Sequence, residues 1–288
     1  MAGMFEDRFY EGAGGVRLHY RDYAGAADRP PVLCLHGLTR NARDFEGVAA
    51  RLAVEGWRVI VPDMRGRGLS AWADPASYAL PVYLKDVDAL TAHAGFDRAV
   101  YVGTSMGALL TMLSAAARPG RVAGACLNDI GPLIEHAGLE RIAGYLGRVG
   151  PFANWAGAAA AIAASDGPTF PVYSTADWDV HARRRLRAGV DGIVADYDPR
   201  VADGFSADPG EGANALWPMF DALAGVPLVS VRGACSDLFT AVTQEAMAAR
   251  VAGLDVVVVP GVGHAPGLEE AEAMAALDRV LGRVLAGR

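Results

Sequence analysis

The 288-residue chain reads as an α/β fold: a mostly parallel twisted sheet flanked by helices, with an inserted, mainly helical lid. Three observations predict it. Short runs rich in β-branched residues are continuously apolar, as strands buried on both faces are. Helical stretches separate these runs. Between about Pro132 and Pro218 the rhythm stops, and Ala, Gly and scattered aromatics replace it.

In chain order, "GGVRLHYRDY" (14–23) alternates polar and apolar residues, as an edge strand wet on one side should. The runs at 30–37, 57–63, 98–105, 121–129, 226–233 and 255–261 are the buried strands. In the last helix Ala271, Met274, Leu277, Leu281, Val284 and Leu285 recur at helical spacing. Glu269, Glu270 and Glu272 open that helix and Arg279 and Arg283 close it, which complements its dipole. The irregular stretch is too long for a bare loop. The predicted organisation is therefore a core from residues 1–131 and 219–288, with the lid at 132–218.

Composition narrows the function classes. Hydrophobic residues make up 52% of the chain, yet no run approaches the ~20 apolar residues of a membrane span. The longest, "AGAAAAIAA" (156–164), reads as a packed helix. The N-terminus is acidic where a signal peptide would be basic and then apolar, so cytoplasmic residence away from membranes is expected. A net charge of −7 argues against a nucleic-acid partner. The basic cluster "HARRRLRAG" (181–189) reads as a solvated helix face, with a gate for anionic substrates as the alternative. Cys34, Cys126 and Cys235 form no CxxC pair, which speaks against a metal site or disulfide framework. Cys34 and Cys126 fit as small buried hydrophobes. No cofactor is expected, and the Ala-rich lid offers a surface for a possible homodimer.

The chemistry centres on "YVGTSMGALL" (101–110), where Ser105 ends a strand and a helix follows. A serine hydroxyl is a weak nucleophile and needs exposure, a base and oxyanion donors. A sharp strand-to-helix turn lifts it clear of the sheet, and Gly103 and Gly107 leave room for that turn. The Met106 N–H, at the helix start, faces any negative charge that develops. The second donor is expected from Leu38, in the loop after "PPVLCLHG", with Gly37, Thr39 and Arg40 lining the pocket. Among six histidines, only His264 sits in a glycine-rich loop, "PGVGHAPG", directly after a late strand. His19 reads as an edge-strand residue and His93 as a helix end. His136 and His181 fall in the lid, where surface exposure is the simpler reading. For the carboxylate that orients the imidazole, Asp237 in "VRGACSDLF" is the expected residue and Asp129 in "CLNDIGP" its rival. The stretch "VPDMRGRGLS" is expected to brace the site through a buried charge pair and glycine turns. Trp155 is the lid aromatic expected to touch substrate.

With these motifs assembled, the chain resembles the α/β-hydrolase superfamily, in the lid-bearing branch of esterases, lactonases, C–C bond hydrolases and cofactor-free perhydrolases. The resemblance covers residues 5–131 and 219–288 through "LHGLTRN", "VPDMRGRGLS", "VGTSMGA", "LNDIGP", "VRGACSDLF" and "PGVGHAP". It implies an α/β-hydrolase fold with Ser105 as nucleophile, His264 as base, Asp237 as acid and Leu38 and Met106 as the oxyanion hole. One spacing departs from the common pattern: Asp237 lies four residues after Gly233 rather than three, with Ser236 between. Ser105 excludes the Asp-nucleophile chemistry of dehalogenase and epoxide-hydrolase relatives. "LTRN" and Thr104 stand where C–C hydrolases commonly carry a Gly/Ser-rich loop and an Asn. Hydrolysis of a carboxylic ester or lactone of small to medium size, through an acyl-enzyme, is the leading expectation. C–C bond hydrolysis of a diketone-like compound comes second, and a ligand-binding receptor on the same fold third.

Overall fold

The computed structural model describes residues 4–207 and 216–287; three predicted segments (the first residues of the N-terminus, 208–215 of the lid and the last residue) lie outside the described residues. Its strands are β1 (Phe5–Glu11), β2 (Arg17–Tyr23), β3 (Val32–Leu35), β4 (Val59–Pro62), β5 (Ala99–Thr104), β6 (Val122–Asn128), β7 (Leu186–Gly189), β8 (Gly192–Ala195), β9 (Leu228–Gly233) and β10 (Asp255–Val259). Eight of them form one sheet in the order β1-β2-β4-β3-β5-β6-β9-β10. From β4 to β10 every neighbouring pair is parallel, and β2 runs antiparallel to both β1 and β4.

The helices are α1 (Glu46–Val54), α2 (Leu80–Ala94), α3 (Met106–Ala117), α4 (His136–Tyr145), α5 (Trp155–Asp166), α6 (Thr175–Arg185), α7 (Trp217–Asp221), α8 (Ala241–Arg250) and α9 (Ala271–Ala286). Strand alternation sorts the core into two layers. Val32, Cys34, Val100 and Val102 pack with α1 and α9 on one face, and Leu33, Leu35 and Tyr101 with α2 and α3 on the other. Cys34 and Cys126 are fully buried between apolar neighbours, and burial pushes the Cys126 thiol up to about 12.

Two sequence expectations change here. The edge strand is β1, whose charged sequence FEDRFYE concealed it; β2 lies inside the sheet and is mostly buried. His19 is consequently enclosed, with Nδ1 2.7 Å from Asp63 and Nε2 2.8 Å from Asp7. The segment between β6 and β9 carries α4 to α7 and, in addition, an antiparallel hairpin of β7 and β8. Each of those strands is only four residues long, LRAG and GIVA, too short to show a strand pattern in the sequence. Among the described residues no helix is long and apolar enough to cross a membrane.

A candidate active site at the carboxyl edge of the sheet

The parallel strands all end on one edge, where the loops of an open α/β sheet gather. Gly37 follows β3, Ser105 follows β5, Asp129 follows β6, Ser236 follows β9 and His264 follows β10.

Ser105 adopts φ 53° and ψ −118°, a left-handed conformation held between β5 and α3. Its own carbonyl accepts from the Ala108 N–H, and its N–H donates to the Asn128 carbonyl. The flanking glycines are sterically required. A Cβ on Gly103 would stand 2.4 Å from the backbone of Gly107, and one on Gly107 would stand 1.9 Å from the Leu35 carbonyl oxygen. Gly107→Ala is therefore expected to force α3 away from β3 and to destabilise the fold by about 3 kcal/mol, read as a lower urea midpoint.

His264 Nε2 lies 2.9 Å from Ser105 Oγ, and its Nδ1 lies 2.8 Å from Asp129 Oδ2. A carboxylate only accepts, so Nδ1 carries the proton and Nε2 is left to accept from the serine hydroxyl. The expected partner Asp237 is not there. It turns outward to Arg141 on α4, with Oδ1 2.9 Å from Nη2. Burial opposes its charge, but the hydrogen bonds and charge of Arg141 outweigh burial and hold the carboxyl below the usual carboxylate range. Asp129 takes the position because its own φ of 55° aims the side chain across the edge of the sheet. The Gly233 N–H donates to its Oδ1 at 2.7 Å, and the Ser236 hydroxyl to its Oδ2 at 2.6 Å. Ser236 is the extra residue in the four-residue spacing from Gly233, which signalled a change in that loop.

Asn128 was not singled out from the sequence. Its amide donates to the Pro266 carbonyl at 2.8 Å and to Thr104 Oγ1 at 3.0 Å, tying the His264 loop to β5 and β6. The only sequence signal was its place beside Asp129.

The loop after β3 is held by two buried side chains. His36 Nδ1–H donates to the Gly37 carbonyl at 2.7 Å, and its Nε2 accepts from the Met64 N–H at 3.0 Å. Anchoring that carbonyl orients the peptide whose other end is the Leu38 N–H. Arg67 donates from Nε to the Leu38 carbonyl and from Nη1 to Arg65 O and Tyr83 Oη. The expected charge pair is Arg65 with Asp86, both buried and joined by two bonds of 2.6 Å. Asp63 instead receives His19 and the N–H groups of Ala42 and Leu69.

Burial holds the His36 imidazole neutral, lowering it from 6.5 to about 4. The unfolded chain therefore takes up the proton first. Stability from His36 is complete above pH 6.5 and is lost as pH falls towards 4, by roughly 3 kcal/mol at most. Urea unfolding at pH 7 and pH 4.5 is expected to show a smaller decrease for His36→Gln than for the wild type.

Two cavities meet at Ser105. One, of about 100 Å³, is lined by Gly37, Thr39, Arg40, His181, Arg184 and His264, among others. The second, of about 440 Å³, is apolar and lined by residues such as Leu38, Tyr78, Met106, Leu109, Ile134 and Phe205. Gly37, Thr39 and Arg40, expected to line the substrate pocket, line the smaller cavity. Trp155 lines neither cavity; it is half-buried against the core, and the Arg183 guanidinium sits 4.7 Å from its ring centroid. His181 is not a surface residue, because Phe170, Tyr173 and Trp178 pack around its ring. The basic cluster also divides. Arg183 is solvated beside Asp179, whereas Arg184 and Arg185 turn inward to the smaller cavity.

A sequence profile of the alpha/beta hydrolase fold matches residues 30–271. The chain is 37% identical over 271 residues to a 3-hydroxybutyrate-oligomer hydrolase from Cupriavidus necator, covering 88% of this chain and 89% of that protein. It is 27% identical over 252 residues to a 2-(acetamidomethylene)succinate hydrolase from Mesorhizobium japonicum, covering 87% and 86%. A crystal structure of an alpha/beta hydrolase from Novosphingobium aromaticivorans matches with a TM-score of 0.92 at 48% identity, covering 98% of this chain and 99% of that one.

Proposed function

The chain belongs to the alpha/beta hydrolase fold family, and on that premise we propose that it is a cofactor-independent serine hydrolase that cleaves a carboxylic ester through an acyl-enzyme. The observation that carries this reading is the unbroken hydrogen-bonded chain from Ser105 through His264 to Asp129. Ser105 Oγ attacks the ester carbonyl as its proton passes to His264 Nε2, and Asp129 stabilises the imidazolium that forms. The carbonyl oxygen becomes an oxyanion between the N–H groups of Leu38 and Met106, neither of which has a hydrogen-bond partner among the described residues. Collapse of the intermediate breaks the bond to the alcohol oxygen, which takes the proton back from His264. Water then repeats the sequence on the acyl-enzyme and frees the acid.

A linear ester fits better than a lactone, because the apolar and arginine-lined cavities extend from Ser105 as two distinct spaces. The Cupriavidus relative is named for a linear oligomer of a hydroxy acid, which is this kind of ester.

Reaction with a fluorophosphonate is expected to place one adduct on Ser105, located by peptide mass spectrometry, with hydrolysis of p-nitrophenyl butyrate falling in parallel. Folded protein that neither labels nor hydrolyses any short ester of a broad panel would sink the reading.

A further inference from the structure

The two cavities at Ser105 differ in chemistry and in which side of the reaction they serve. His264 lines the smaller one and is absent from the lining of the larger. The imidazolium must hand its proton to the departing oxygen, so the alcohol leaves on the His264 side. The acyl part then occupies the apolar cavity, on the side of Met106.

The leaving-group side is cationic in a chain whose net charge is −7. Arg40, Arg141, Arg184 and Arg185 line it, against Asp44 and Asp166. The arginines are held by carboxylates but not used up by them. Asp44 engages Nε and Nη2 of Arg40, leaving Nη1 without an acceptor among the described residues. Glu269 engages only Nη2 of Arg184, leaving Nε and Nη1 likewise. Guanidinium groups positioned in this way, with donors to spare, are prepared for a planar anion. The same arginines converge on His181. Burial, followed by the charges of Arg40, Arg185 and Arg184, holds that imidazole well below its usual range, so it adds no competing charge.

We propose that Arg40 and Arg184 bind a carboxylate carried by the leaving alcohol, so that the enzyme acts on esters of hydroxy acids and releases the unit bearing the free carboxyl end. This rests on the serine-hydrolase reading above and assigns its substrate class and polarity. The space of about 100 Å³ has the volume of about three waters and takes one short unit. The apolar cavity of about 440 Å³ takes a longer acyl chain. An oligomer is therefore shortened from its carboxyl end.

The test compares three substrates: the linear dimer of 3-hydroxybutyrate, its carboxyl methyl ester, and p-nitrophenyl butyrate. Wild-type kcat/KM for the free-acid dimer is expected to exceed that for the methyl ester by about tenfold or more. In Arg40→Gln and Arg184→Gln this ratio should fall to within about threefold of unity, chiefly through KM, and Arg184→Lys should recover part of it. With the trimer, an acyl cap on the hydroxyl end is expected to permit cleavage and a methyl ester on the carboxyl end to suppress it. A wild-type ratio near one, or a preference that survives both Gln substitutions, overturns the proposal. If p-nitrophenyl butyrate is hydrolysed in that case, the carboxylate assignment alone has failed. Inertness towards all three overturns the serine-hydrolase reading and this inference together.

Discussion

Asp129→Asn is expected to lower kcat for ester hydrolysis by about 10⁴-fold, and Asp237→Asn by less than about tenfold. The contrast follows from which carboxylate meets the imidazole. Asp129 Oδ2 lies 2.8 Å from His264 Nδ1 and also accepts from the Ser236 hydroxyl, while Oδ1 accepts from the Gly233 N–H. An asparagine keeps its carbonyl oxygen on Gly233 and turns its amide N–H₂ towards the ring. Nδ1 must then accept rather than donate, which places the ring proton on Nε2, facing Ser105. That tautomer takes no proton from the hydroxyl. Asp237 holds Arg141 instead, so Asp237→Asn loosens α4 without altering the imidazole. Steady-state kinetics of both variants, with melting temperatures to confirm folding, decides the matter. A large loss in Asp237→Asn with little change in Asp129→Asn would show that the loop after β9 rearranges to supply the acid.

Ser105→Ala and Ser105→Gly are both expected to lose activity by on the order of 10⁵-fold or more, and to differ in stability. Alanine keeps the Cβ and with it the cost of φ 53°, ψ −118°. Glycine removes the Cβ and relieves about 1 kcal/mol net, after allowing for the greater freedom of glycine in the unfolded chain. Thermal unfolding should therefore place Ser105→Gly a few degrees above Ser105→Ala. Equal melting temperatures would mean that the bend carries no strain. Unimpaired turnover in either variant would remove the serine from the chemistry altogether.

The site was legible in unequal parts. Ser105, Gly103 and Gly107 could be read because a strand, a sharp bend and a helix leave a local signature, and the clash of 1.9 Å at Gly107 shows how strictly it is enforced. The partner of His264 could not be read. Asp129 and Asp237 each follow a strand end, and chain order admits both. Adjacent parallel strands carry the two loops, so the decision depends on side-chain direction: φ 55° at Asp129, and Arg141 drawing Asp237 away. Trp155 was misplaced for a similar reason, since an aromatic in an insertion announces packing but not which side it faces.

By itself the sequence determined the α/β layering, the sharp bend at Ser105 proposed as nucleophile and the glycine-rich loop that carries His264, because periodicity and tight turns depend on residues close together in the chain. Only the tertiary structure decided that Asp129 orients His264 and that Arg184 turns inward while Arg183 faces water. Those outcomes depend on distances between residues 80 to 160 positions apart, which are set by how the strands lie side by side and how the insertion folds over their ends.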